Sequence, residues 1–122
     1  MSKTIASAAI RASHGIVKQA QILVERAISD KGKDFVFEFT DTGYYLPMIY
    51  ANTGFAVKTL ADMRMGVQMA KDLLSPEPDD SVYRPYVGEA LDAGMATMFA
   101  QEIIMAIRYI YGLEPYKDEE IG

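Results

Sequence analysis

The sequence feature that most constrains the fold is a long apolar stretch at residues 88–111. No proline interrupts it, and strong helix formers (alanine, leucine, methionine, glutamate and glutamine) dominate its composition. The stretch therefore predicts one long helix. Its large apolar side chains point in several directions around the helix axis and not along one stripe. Examples are Leu91, Met95, Met98, Ile103 and Ile110.

A helix that is apolar on nearly every side needs neighbours on nearly every side, and a chain of 122 residues supplies few. We therefore expect part of this helix to face protein that lies outside this sequence. Ala93, Ala96 and Ala100 fill much of its remaining surface. Such small side chains let another backbone approach closely, which is the ordinary explanation, or leave narrow apolar gaps that could line a passage for a small solute.

The composition limits the possible classes of function. A hydrophobic fraction of 50% is typical of a globular domain and not of a disordered chain. The net charge of −5, without a run of lysine or arginine, argues against nucleic-acid binding. The absence of cysteine excludes disulfides, thiolate metal sites and cysteine nucleophiles, and fits a cytoplasmic protein. Charged residues within the long stretch, such as Glu102 and Arg108, argue against a membrane span.

The remaining segments predict a single, mainly α domain with three principal helices, one short helix and an aromatic extended arm. The first helix covers residues 5–28, with a break at residues 13–15, and the arm carries three phenylalanines on one face at 35–39. A short helix is expected at 47–53 and another principal helix at 59–74. The polar tail at 113–122 is expected to fray.

Residues with special roles at helix ends support these boundaries. Pro47 suits the first position of the short helix, and Gly54 suits its C-terminal cap. Gly32 suits a left-handed cap after the first helix. Thr59 is a suitable N-cap, with Asp62 in the first turn of the helix that follows.

No catalytic arrangement is evident. His14 is the only histidine, and without cysteine partners it is interpreted as a structural residue. Glu102 lies in the most apolar part of the long helix, where a carboxylate faces a polar seam, forms an ion pair or has a raised pKa. We favour an ion pair with Arg11, Lys18 or Arg64.

A polar and aromatic group precedes and enters the short helix. It comprises Asp41, Tyr44, Tyr45 and Tyr50. Tyrosine hydroxyls near an aspartate could handle protons, but they are more often packing residues whose hydroxyls find a partner. A small enzyme that uses Asp41, Tyr44 and Glu102 is therefore the least favoured hypothesis.

Three segments resemble the N-terminal helical region of the bacterial carbon monoxide dehydrogenase/acetyl-CoA synthase α subunit, which is the acetyl-CoA synthase. They are HGIVKQAQILVERAI at 14–28, DTGYYLPMIYANTG at 41–54 and EALDAGMATMFAQEIIMAIRYI at 89–110. Their order and spacing agree with that family, and the tyrosine, leucine and proline within the second segment are its most specific feature. The sequence departs from the pattern at Gly43, where alanine is expected.

The resemblance implies a role within a larger enzyme. The full subunit joins a methyl group, CO and coenzyme A at a nickel–iron–sulfur cluster in the reductive acetyl-CoA pathway of carbon fixation, and cysteines in a downstream domain hold that cluster. The N-terminal region packs against the carbon monoxide dehydrogenase subunit and forms part of a hydrophobic passage for CO. This chain would then be a non-catalytic docking and CO-channel domain without a cofactor of its own, and its partners would be that subunit and the other acetyl-CoA synthase domains.

No catalytic or metal-ligating residue carries over from the resemblance. The candidates for docking or channel lining are Tyr44, Tyr45, Leu46, Pro47, Ala93, Ala96, Met98, Phe99, Ala100 and Ile103. The alternative hypothesis is an independent α-helical interaction module that forms a homodimer through the long helix. Such a dimer would bury Met95, Met98 and Phe99.

Overall fold

The structure, a computed structural model, describes residues 5–36, 46–74 and 87–112. Four α-helices lie in these ranges: α1 (Ile5–Lys31), α2 (Pro47–Thr53), α3 (Leu60–Leu73) and α4 (Val87–Ile110). They confirm the predicted mainly α class with three principal helices and one short helix. Of the aromatic arm only Phe35 and Val36 lie within the described residues, and Val36 forms an isolated antiparallel bridge with Thr59. The polar tail lies outside the described residues.

The three long helices pack together as a bundle, and α2 covers part of α4. Helices α1 and α4 run parallel, because Ser13 contacts Ala93 near one end and Asp30 contacts Tyr111 near the other. Helix α3 runs antiparallel to both. Arg64 of α3 binds Glu25 of α1. Lys71, two turns later on α3, lines the same cavity as Gln21, which lies one turn earlier on α1.

The core-facing residues of α1 alternate at spacings of three and four, which is the repeat of helices that pack side by side. They are Ile10, Ser13, Val17, Ala20, Val24 and Ala27, and none is more than 3% exposed. Burial of this stripe gives α1 stability that the helix propensities of its residues alone would not supply.

The predicted break in the first helix at residues 13–15 is wrong, because α1 continues without interruption to Lys31. The Oγ atom of Ser13 lies 2.8 Å from the carbonyl oxygen of Ala93 and 2.6 Å from Oγ1 of Thr97. The polar residue that suggested a break instead links α1 to α4. Beyond Lys31, Gly32 adopts the left-handed conformation (φ 91°) that was predicted for it.

The boundaries of α2 and α3 follow local sequence signals. Gly54 ends α2 with φ 75°, and its amide donates to the carbonyl oxygen of Tyr50 at 2.7 Å. At the start of α3, the amide of Asp62 donates to Oγ1 of Thr59 and the amide of Thr59 donates to Oδ2 of Asp62, each at 3.1 Å. This reciprocal pair is a capping box, and it confirms the predicted helix start.

No helix within the described ranges is both long enough and apolar enough to cross a membrane.

Gly66 marks the closest approach between α3 and its neighbours. A Cβ atom at this position would lie 3.3 Å from Cδ1 of Ile103 and 3.4 Å from Cδ1 of Ile49, which is tight for carbon atoms. The missing side chain therefore lets α3 lie close to α4 and α2 at the same point. Gly15, by contrast, is exposed and would give a Cβ atom open space.

We expect Gly66→Val to lower the free energy of unfolding by about 1–3 kcal/mol, because the added methyl groups would overpack this contact. The matched change Gly15→Val should alter it by less than about 0.5 kcal/mol, since valine and glycine are both moderate to poor helix formers. Urea denaturation monitored by circular dichroism measures both values. Equal effects at the two positions would contradict a close contact at Gly66.

Candidate functional site

Helix α4 has an inner face that completes the core of this chain. Its buried residues are no more than 6% exposed, and they are Ala93, Ala96, Phe99, Ala100, Glu102, Ile103, Ala106 and Ile107. Small alanines alternate with larger residues, so α1 and α3 can both approach α4 closely. Five candidates for docking or channel lining therefore lie in the interior: Ala93, Ala96, Phe99, Ala100 and Ile103.

The candidates at the start of α2 divide between the interior and the surface. Leu46 is fully buried, and its backbone is left-handed (φ 56°, ψ 73°), which costs a leucine about 1–3 kcal/mol. Pro47 follows it as the first residue of α2 and is exposed. Proline disfavours the right-handed helical conformation at the residue before it, as the sequence indicated, although Leu46 is left-handed and not extended. Tyr44 and Tyr45 lie outside the described residues.

The carboxylate of Glu102 binds the first turn of α2. The amide of Met48 donates to Oε2 at 2.6 Å, and the amide of Ile49 donates to Oε1 at 3.1 Å. The first amides of a helix have no partner within the helix, and Leu46 at the N-cap has no side-chain oxygen to supply one. Glu102 thus acts as a capping residue that belongs to a different helix, and its charge suits the positive end of α2.

The predicted ion pair of Glu102 is replaced by these two amide contacts. Arg64, one of the three proposed partners, instead binds Glu25 through two hydrogen bonds of 2.8 Å. Burial raises the pKa of Glu102 above its usual value, and the hydrogen bonds from Met48 and Ile49 oppose that shift.

Helix α4 also has an outer face that the described chain leaves largely uncovered. Leu91 is 69% exposed and Met98 is 37% exposed, and the partly buried Met105 follows at the same spacing of seven residues. The side chain of Met95 is also partly buried. A repeat of seven is the spacing at which a helix presents one stripe to another helix. Of the docking candidates, Met98 alone lies on this face.

A groove of 510 Å³ runs between the outer faces of α1 and α4. Its walls are formed by Ile16, Gln19, Gln101, Ile104 and Met105. The sequence interpretation missed this groove, although Ile16 and Leu23 are spaced by seven residues, as are Leu91, Met98 and Met105. That signal becomes visible only when α1 and α4 are known to lie side by side.

Only some of the groups considered for catalysis or metal binding lie within the described residues. Within ranges 8–36, 46–74 and 91–112, no three histidine, aspartate or glutamate residues lie together where they could hold a metal ion. Glu102 is engaged by two amides, and Tyr50 is 54% exposed on α2. Asp41 and Tyr44, the other members of the enzyme hypothesis, lie outside the described residues.

Comparisons with known proteins agree with the resemblance noted from the sequence. Residues 21–110 match the family model described as "Carbon monoxide dehydrogenase subunit alpha N-terminal domain". The carbon monoxide dehydrogenase/acetyl-CoA synthase subunit alpha of Moorella thermoacetica is 34% identical over 110 residues, which cover 88% of this chain and 14% of that protein. The acetyl-CoA decarbonylase/synthase complex subunit beta 1 of Methanocaldococcus jannaschii is 25% identical over 100 residues, 82% of this chain and 12% of that protein.

We expect Glu102→Gln to lower the free energy of unfolding by about 1–3 kcal/mol, because both oxygens of a carboxyl group keep acceptor capacity in either protonation state, whereas glutamine turns an NH₂ group, which cannot accept, toward one of the two amides. Asp92→Asn is the matched control, since it neutralises an exposed carboxylate on the same helix and should change stability by less than about 0.5 kcal/mol. Denaturant titration provides the measurement. If the two variants are equally stable, Glu102 does not cap α2.

The raised pKa of Glu102 also predicts a pH dependence. The folded protein holds a proton on Glu102 more tightly than the unfolded chain does, so its contribution to stability is largest below the usual pKa of 4.5 and falls as pH rises through the raised value. The stability advantage of the wild type over Glu102→Gln should therefore shrink from acidic to neutral pH. An advantage that grows with pH would mean that the amide hydrogen bonds outweigh burial.

Proposed function

The chain belongs to the family of carbon monoxide dehydrogenase subunit alpha N-terminal domains, and we propose on that basis that it is a non-catalytic docking domain. In this proposal it attaches the acetyl-CoA synthase portion of the enzyme to a carbon monoxide dehydrogenase subunit, and its interior contributes to a passage for CO. The proposal places the assembly in the cytoplasm and the reaction in carbon fixation.

The observation that carries the docking proposal is the division of α4 into two apolar faces. The inner face is fully used by α1, α2 and α3. The outer face still presents Leu91 and Met98 to solvent, so these two side chains contribute little to packing within the described chain. Apolar side chains repeated along a rigid helix form the kind of surface that partner proteins bury.

This chain spans only 14% and 12% of the lengths of the two relatives. The names of those relatives refer to carbon monoxide dehydrogenase, acetyl-CoA synthase and decarbonylase/synthase activities. We assign such chemistry, and the nickel–iron–sulfur cluster that it requires, to parts of the enzyme other than this chain, which has no cysteine.

The support for a CO passage is the row of alanines along the inner face of α4. Ala93, Ala96 and Ala100 are at most 1% exposed and place only methyl groups in the interior. A small apolar molecule can enter such a region when neighbouring side chains move slightly, because dry apolar voids accept apolar guests. Phe99 and Ile103 flank this row and would limit its width.

A homodimer through α4 is the second candidate, and the same outer face favours it. Leu91, Met95 and Met98 are available to a second copy of the chain. Phe99 is not available, because it is only 1% exposed in the single chain. A dimer would therefore form through the outer-face stripe of Leu91, Met98 and Met105. It would not bury Phe99, contrary to the prediction from the sequence.

The docking proposal predicts that the chain captures the carbon monoxide dehydrogenase subunit of its own organism. The double variant Leu91→Asp and Met98→Asp should weaken that binding at least about tenfold, because two apolar contacts would become buried charges. The matched control is Ile22→Asp with Met65→Asp, which alters residues that are 44% and 50% exposed on α1 and α3. Surface plasmon resonance measures the affinities.

Two results would contradict the docking proposal. The first is that the wild-type chain fails to bind the subunit at micromolar concentration. The second is that the control variant loses binding and the α4 variant keeps it, which would place the interface elsewhere. Sedimentation of the chain alone tests the homodimer, which the docking proposal does not require.

The passage proposal predicts that xenon, an apolar probe of similar size to small gas molecules, reaches the alanine row. Xenon pressure should shift the methyl resonances of Ala96 and Ala100 and leave that of the exposed Ala51 unchanged. Methyl NMR of the alanine-labelled chain gives the measurement. Unchanged inner methyl resonances at saturating pressure would contradict a passage through this face.

A further inference from the structure

The outer groove between α1 and α4 presents the same chemistry from both of its walls. On α1, Ala12, Gln19 and Arg26 follow one another at intervals of seven residues, and on α4 the corresponding series is Gly94, Gln101 and Arg108. Each α4 residue is 82 positions after its α1 counterpart. The contacts of Ser13 with Ala93 and of Asp30 with Tyr111, at separations of 80 and 81, show that these pairs lie at matching levels.

Gln19 and Gln101 line the middle of the groove, and the seven-residue spacing carries its line on to small residues at one end and to arginines at the other. All six residues of the two series are exposed. Between them lie the apolar walls formed by Ile16, Ile104 and Met105. A stripe of apolar positions with one polar layer is the surface that one helix offers to another in a coiled-coil bundle, where the polar layer fixes the register.

The positive charges at the basic end indicate that a molecule bound in the groove carries negative charge there. No hydrogen bond or ion pair within the described residues engages the guanidinium group of Arg26 or of Arg108. Lys31 adds a third positive charge at this end, and Asp30, which accepts a hydrogen bond from the hydroxyl of Tyr111, subtracts one. Among the residues that the structure describes, this end is a local basic patch that suits carboxylates, in a chain whose net charge is −5.

The direction of the occupant follows from the direction of α1 and α4. Both helices point their C-termini, the negative ends of their dipoles, toward the basic end. An antiparallel helix would place its own N-terminal turn there, as α3 does on the opposite side of the same helix pair. The first turn of a helix is where aspartate and glutamate are most favourable, so dipole and side-chain charge agree.

We propose that the α1/α4 groove binds an antiparallel amphipathic helix of a partner protein, and that aspartate or glutamate in the first turn of that helix contacts Arg26 and Arg108. The apolar stripe of the helix covers Ile16, Ile104 and Met105, and one polar side chain meets Gln19 and Gln101. This inference rests on the proposed docking function and adds to it the position and chemistry of the contact.

The test uses the 122-residue chain and two three-heptad amphipathic peptides that differ only in their first turn, which carries glutamate in one and lysine in the other. Fluorescence anisotropy should show the glutamate peptide binding about tenfold tighter, which corresponds to two favourable charge pairs. The double variant Arg26→Glu and Arg108→Glu should reverse the preference. The control, Lys18→Glu with Lys71→Glu, has the same net charge and changes exposed lysines outside the groove walls, so it should keep the preference.

Several outcomes would overturn the inference. They are no binding of either peptide at millimolar concentration, equal affinities for the two peptides, and a preference that survives reversal of both arginines. Self-association of the chain that excludes the peptide would assign the groove to a second copy and would also overturn it.

The docking proposal is judged separately from this groove. If the chain binds the carbon monoxide dehydrogenase subunit and the Arg26→Glu and Arg108→Glu variant binds it equally well, the groove inference fails and the docking proposal stands. If the subunit does not bind at all, the docking proposal fails and the peptides alone decide whether the groove accepts a helix.

Discussion

The close packing of α4 against all three other helices is the constraint on which the rest of the structure depends. Alanines on the inner face of α4 bring α1 and α3 near enough to bury Phe99 and Ile103 completely, and Gly66 removes the side chain that would hold α3 away. Because this packing occupies one face of α4, the apolar residues on the other face cannot contribute to the same core. Leu91 and Met98 consequently remain at the surface.

Glu102 extends this packing to α2, which is too short to be stable alone. Its carboxylate binds two amides at the start of α2, and the buried Leu46 beside them holds an unfavourable left-handed backbone. A buried carboxylate costs free energy unless it is well bonded, so the two hydrogen bonds and the position of α2 support each other. The segment at the start of α2 is thus positioned by α4 and not by its own sequence alone.

Local signals in the sequence predicted the helices well, because each acts within a single turn. Pro47, Gly54 and the Thr59 and Asp62 pair gave the boundaries of α2 and α3 to within a residue. The partners of Glu102 could not be predicted, since they are backbone amides about 54 residues away and every residue type except proline carries one. The same limit applies to the two faces of α4. Its sequence is apolar on nearly every side, so it does not predict which side the neighbouring helices cover until the register of those helices relative to α4 is known.

We propose that the outer face of α4 is exposed in the single chain and is covered by a partner protein. Methionine-methyl NMR with a soluble paramagnetic agent is a direct test, because methionines lie both in the core and on the surfaces of α3 and α4. We expect Met63, which is fully buried, to stay protected throughout, and Met98 to become protected only when the carbon monoxide dehydrogenase subunit is added. Met65, on α3, should remain accessible in both states. Protection of Met98 in the free monomer, or its continued exposure in the complex while Met65 becomes protected, would show that the outer face of α4 is not the docking surface.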